Sequence, residues 1–122
     1  MNPPVETIRL GKQSRDQLIK IKRITGIENW NIICRWALCT SLREPTLPPK
    51  RKISVEDGVE ITWKVFAGDQ AAVYAGLIRN CYLRQNSKSM SEAEFTHAHV
   101  QRGLGFLASG TTTKNISDFL KR

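Results

Sequence analysis

Three of the chain's five prolines, Pro45, Pro48 and Pro49, fall within five residues of one another. A proline interior to a helix removes a hydrogen bond and clashes with the preceding turn, so no helix crosses this stretch. The segment runs from Glu44 into a basic triplet, Lys50, Arg51 and Lys52. It reads as an exposed connection over residues 45–52 between a first part, residues 1–44, and a second, residues 53–122. A chain of 122 residues is sized for one domain, so both parts belong to a single domain over 1–122, small enough to gain from oligomerisation.

In the first part, Val5 to Leu10 alternates in character and is rich in β-branched residues, which predicts a short N-terminal strand or arm ending at Gly11. Ser14 followed by Gln17 has the spacing of a capping box and predicts a helix start there. Leu18, Ile21 and Ile24 or Thr25 share a face that Ile19 widens, and Gly26 is the natural stop. Asn29 is placed to cap a second helix. Its apolar residues Ile32, Ile33, Cys34, Trp36, Ala37, Leu38 and Leu42 span so wide an arc that it must be covered on more than one side, by the chain or by another subunit.

The second part opens with alternation over residues 53–66 around Asp57-Gly58, which predicts a small hairpin. A helix capped by Asp69 is expected over 69–85, with Ala72, Val73, Ala75, Gly76, Leu77, Ile78, Cys81 and Tyr82 at helical spacing. Another start at Ser91, with Glu92 and Glu94 in the first turn, predicts a helix to about Leu107 or Ala108. Residues 115–120 suggest a short final helix. The fold class is therefore mainly α, a helical domain with a short N-terminal strand and a small hairpin.

Charge is unevenly spread. Residues 1–52 carry eleven Lys and Arg against four acids, and residues 53–122 carry eight against seven, so nearly all of the net +8 is N-terminal. Basic domains attract polyanions, and the residues placed to meet phosphates are Lys12, Arg15, Lys20, Lys22 and Arg23 on the first helix and Lys50, Arg51 and Lys52 on the proline-held connection. The ordinary alternative for such a run is a solvated helix face. Lysine-rich composition favours backbone contact over base reading. A strand followed by two helices is also the element order of ribbon-helix-helix DNA-binding proteins, in which Thr7 and Arg9 would share one strand face and Ile8 and Leu10 the other.

Catalytic constellations are sparse. His97 and His99, two apart, diverge by about 200° on a helix and do not form a same-face metal pair. Gly103-Leu104-Gly105 lies in a helical pattern without phosphate-loop context and reads as close helix packing. Glu56, Asp57 and Glu60 surround a turn and read as a solvated loop edge. The three cysteines, Cys34, Cys39 and Cys81, form no C-x-x-C pair and read as buried free thiols. No catalytic residue, metal ligand or cofactor is assigned. No apolar run is long enough to span a membrane and the start lacks signal-peptide features, so a cytoplasmic location is expected.

The string VETIRLGKQSRDQLIKIKRITGIENWNIICRWALCTSLREP, followed by VEITWKVFAG and HVQRGLGFLASG, resembles the DndE family of DNA sulfur modification proteins over about residues 5–120. Its most particular parts are Asn29 to Ala37 and Glu60 to Phe66. The resemblance implies a mainly helical, oligomeric protein, with a tetramer as the expected state, that binds double-stranded DNA and prefers nicked duplex. It implies a non-catalytic role in replacing a non-bridging phosphate oxygen by sulfur, beside a cysteine desulfurase and the DndC and DndD components. Two other roles stay open: a scaffold subunit joining DndC and DndD, and a metal-dependent nicking enzyme using the Glu56 to Glu60 region.

Overall fold

The computed structural model describes residues 2–50, 58–85 and 87–109. Strand β1 (Thr7–Leu10) leads into helices α1 (Lys12–Thr25) and α2 (Trp30–Leu42); strand β2 (Val59–Thr62) then leads into α3 (Trp63–Ala67), a 3-10 turn (Gly68–Gln70), α4 (Ala71–Arg84) and α5 (Glu92–Ala108). The fold is mainly α with one small sheet. Residues 51–57, which include Arg51, Lys52 and the first half of the expected hairpin, lie outside the described residues, as does the expected helix at 115–120.

β1 and β2 pair antiparallel, with Thr7 opposite Thr62, Ile8 opposite Ile61, Arg9 opposite Glu60 and Leu10 opposite Val59. The β2 partner is thus the N-terminal arm of the same chain. Ile8, Leu10 and Ile61 point into the core while Arg9, Glu60 and Thr62 are exposed, the alternation a half-buried ribbon requires. The strand stops at Thr62 instead of running to Phe66: Thr62 Oγ1 accepts from the Val65 amide at 3.4 Å and starts a helical turn that buries Phe66.

The start of α1 differs from the expectation at Ser14. The helix begins at Lys12, the Gly11 carbonyl accepts from the Arg15 amide at 3.0 Å, and Ser14 is buried on the inner face with Leu18 and Ile21. No capping box forms there. The ribbon requires the early turn: Gly58 lies so close to Leu10 that a β-carbon would stand 2.2 Å from the Leu10 carbonyl oxygen. Ile19 and Ile24 face outward, and Thr25 takes the inner position, its Oγ1 donating to the Ile21 carbonyl at 2.7 Å. The stop at Gly26 is as expected, with φ of 76° and its amide bonded to the Lys22 carbonyl at 2.9 Å.

α2 is the central helix. Asn29 occupies its N-cap position without a side-chain cap bond, and no residue from Trp30 to Leu42 is exposed, because α5, α3 and α1 all pack on it. Gly103 makes the crossing with α5 close, as the glycine pair implied: a β-carbon there would stand 1.8 Å from the Ala37 carbonyl oxygen. Asp69 does not cap α4. It sits in the 3-10 turn, and α4 starts after Gln70 with Ala75, Ile78 and Cys81 inward and Ala72, Val73 and Gly76 exposed. At α5 the expected start is fully formed: Ser91 Oγ accepts from the Glu94 amide at 3.1 Å and Glu94 accepts from the Ser91 amide at 3.0 Å.

Candidate nucleic-acid interface

All five basic residues assigned to α1 are exposed. At about 100° per residue, Lys12, Arg15, Lys22 and Arg23 fall within an arc of about 100°, whose centre stands about 120° around the helix from that of buried Ser14, Leu18 and Ile21. Lys20 stands about 60° beyond Arg23, on the flank shared with Ile24. Asp16 is the one acid on this helix, and none of the five is ion-paired among the described residues. Lys22 and Arg23 also occupy the last turn, where cations complement the helix dipole, so they have a structural use as well.

Lys50 is placed differently. Its ammonium bonds the Glu94 carboxylate at 2.6 Å, and this contact, with the Ser91 amide, holds the Glu94 carboxyl below the usual range. The connection is fastened at its other end by Arg102, whose guanidinium donates to Ser41 Oγ at 2.8 Å, the Ser41 carbonyl at 2.8 Å and Thr46 Oγ1 at 2.9 Å. The pattern of the sequence placed the connection on the surface but carried no signal that α5 would grip it twice. Arg9, on the outer ribbon face, lies 3.6 Å from Glu60 with both side chains well exposed.

The histidines take separate places, as their spacing requires. His97 closes the edge of β1 that β2 leaves uncovered: its Nε2 accepts from the Arg9 amide at 3.0 Å, which puts the ring proton on Nδ1. Burial lowers the pKa of His97 and favours this neutral form. His99 is fully buried between Ser41, whose hydroxyl reaches Nδ1 at 2.7 Å, and Gln85, whose Oε1 lies 3.1 Å from Nε2. Arg102 already donates to Ser41, so the consistent arrangement has Ser41 donating to Nδ1 and Nε2–H donating to Gln85. Burial, with the nearby Arg102 charge, lowers its pKa to about 4. This serine–histidine pair has the spacing of a nucleophile and base, but both residues have no exposed surface and join α2 to α5.

The cysteines are free; Cys34 and Cys81 are buried and Cys39 half-buried. Desolvation pushes the Cys34 thiol up to about 12 and raises Cys39 as well, which suppresses thiolate formation. Among the described residues no three His, Cys, Asp or Glu side chains gather to hold a metal, and no helix is long and apolar enough to cross a membrane. Of the acids read as a loop edge, Glu60 is on β2 facing Arg9, and Glu56 and Asp57 lie outside the described residues.

These features define a small, mainly helical protein with an in-chain two-stranded ribbon and a cationic helix face. Residues 7–115 match the family described as DNA sulphur modification protein DndE, and the chain belongs to that family. No curated protein matches it. Among solved structures, the crystal structure of DndE from Escherichia coli B7A, described as involved in DNA phosphorothioation modification, superposes with a TM-score of 0.66 at 23% identity, covering 88% of this chain and 98% of that one. At that identity the likeness concerns the fold.

Proposed function

We propose that the protein is a non-catalytic, DNA-binding component of the DNA phosphorothioate modification machinery, holding duplex DNA through the cationic face of α1. The observation that carries this reading is the arc of Lys12, Arg15, Lys22 and Arg23, exposed and unpaired with carboxylates among the described residues, on a chain of net charge +8. Four such residues on one helix supply the density of cations that releases counterions from a phosphate backbone. Lys20 flanks this arc. Lys50, Arg51 and Lys52 are further candidate contacts to DNA in this reading, with Lys50 held by Glu94 and so contributing less.

Each protomer offers a few weak contacts, and an oligomer, a tetramer in this reading, sums them into one stronger site. A nicked duplex presents the same charge but bends at lower cost, which favours it over an intact one. DndC and DndD are the partners that would act on the held DNA in the cytoplasm. Titration of the protein against matched intact and nicked duplexes, at two salt concentrations with EDTA present, tests the reading. Salt-sensitive binding that favours the nick is expected. Absence of binding to either duplex refutes it and leaves the basic surface to DndC and DndD, whose joining would then be the protein's role.

A further inference from the structure

We propose that Glu94 is an intramolecular competitor of DNA: in the free protein its carboxylate takes the place on Lys50 of a backbone phosphate, and a duplex engages Lys50 only by displacing it. This rests on the DNA reading above and adds to it a restraint on one part of the surface. The cations of α1 are held by no carboxylate among the described residues, whereas Lys50 donates to Glu94 Oε2 at 2.6 Å. First contact therefore falls to α1, and Lys50 joins once a phosphate is near enough to replace the carboxylate.

The two carboxylate oxygens of Glu94 have separate partners. Oε1 accepts from the Ser91 amide at 3.0 Å and closes the start of α5, while Oε2 takes Lys50. The capping box is complete without the lysine, so the ion pair can open while the helix start stays intact. Lys50 in turn is delivered by a connection with little freedom of its own. Arg102 fastens it at Ser41 and Thr46, and Pro48 and Pro49 stiffen the backbone leading to the lysine.

The pair is open to exchange. The Lys50 side chain is 60% exposed and that of Glu94 38%, so a phosphate oxygen can reach the ammonium, and an ion pair this exposed is weak and screened by salt. Carboxylate and phosphate offer an ammonium the same kind of charged oxygen acceptor. A polyanion adds the release of its counterions, which a single carboxylate does not. The pair of Arg9 and Glu60 is looser, at 3.6 Å and with no hydrogen bond fixing the Glu60 carboxylate among the described residues. Glu94 is thus the acid set to compete.

Fluorescence anisotropy of the full chain with one labelled duplex over a salt series tests this. Glu94→Gln keeps an acceptor at its place in the capping box and removes the charge. With its fold checked by circular dichroism, it should bind about two- to fivefold more tightly than wild type, and its slope of log affinity against log salt should be steeper by about one. In a Lys50→Ala background the same substitution should lose this gain and leave the slope unchanged. A Glu94→Gln chain that binds as wild type does overturns the proposal and spares the DNA reading. So does a gain that persists without Lys50, which is what a general change in net charge would give. Absence of binding by the wild type and by Glu94→Gln alike would overturn both.

Discussion

Gly103 in α5 lies directly against the backbone of Ala37 in α2, so that a β-carbon at 103 would stand 1.8 Å from the Ala37 carbonyl oxygen. Nothing there can give way without separating the two central helices. Gly103→Ala should therefore destabilise the protein by roughly 1–3 kcal/mol or more, as overpacking does. Gly105, whose β-carbon would meet only the end of the Gln17 side chain at 3.9 Å, is the control: alanine there should be neutral or slightly stabilising. Urea unfolding of the two variants checks the contrast, and equal effects would deny the close crossing.

His99 makes stability depend on pH. Its pKa is about 4 in the fold against 6.5 ordinarily, so between those values the unfolded chain binds the proton that the folded chain refuses. The neutral-histidine contribution is fully present above about pH 6.5 and is lost as pH falls toward 4; its upper size is about 3 kcal/mol. His97, also lowered by burial, acts in the same direction. Unfolding free energies measured from pH 7 to pH 4 should fall for the wild type and fall less steeply for His99→Gln.

The box at the start of α5 predicts a local loss. Ser91→Ala removes the acceptor for the Glu94 amide and should cost about 1 kcal/mol. Ser14→Ala should show no loss of a helix cap, because Ser14 lies inside the first turns of α1. Thermal melting of both variants distinguishes the true cap from the apparent one.

These two serines show what was legible. Both precede an acceptor residue by three, and only Ser91 follows a loop that leaves it at a helix end; Ser14 was claimed by the turn that Gly11 and Gly58 impose after strand pairing, a contact between residues nearly fifty positions apart. Gly26, the extent of α5 and the inward alternation of Ile8 and Leu10 were readable because each is set locally, by backbone conformation or by periodicity. The partner of β2, the helical turn at Trp63 and the outward placement of Val73 depended on tertiary packing. For the interface, the clustering on α1 followed from spacing alone, whereas the capture of Lys50 by Glu94 had no signal in the chain.

That capture separates two lysines of equal formal charge. Lys50→Ala should reduce DNA affinity less than Lys22→Ala, since part of its charge is already spent on Glu94. Fluorescence anisotropy with one labelled duplex at fixed salt measures both, and a larger loss at Lys50 would move the interface to the connection.

The central claim is that α1 meets the phosphate backbone, and the salt dependence of binding tests it most directly. Affinity for one duplex should be measured across a salt series for the wild type and for a chain with Arg15, Lys22 and Arg23 changed to alanine. The slope of log affinity against log salt should become shallower by about one for each phosphate that the variant no longer neutralises, with the fold intact by circular dichroism. An unchanged slope and affinity in a folded variant would contradict the account.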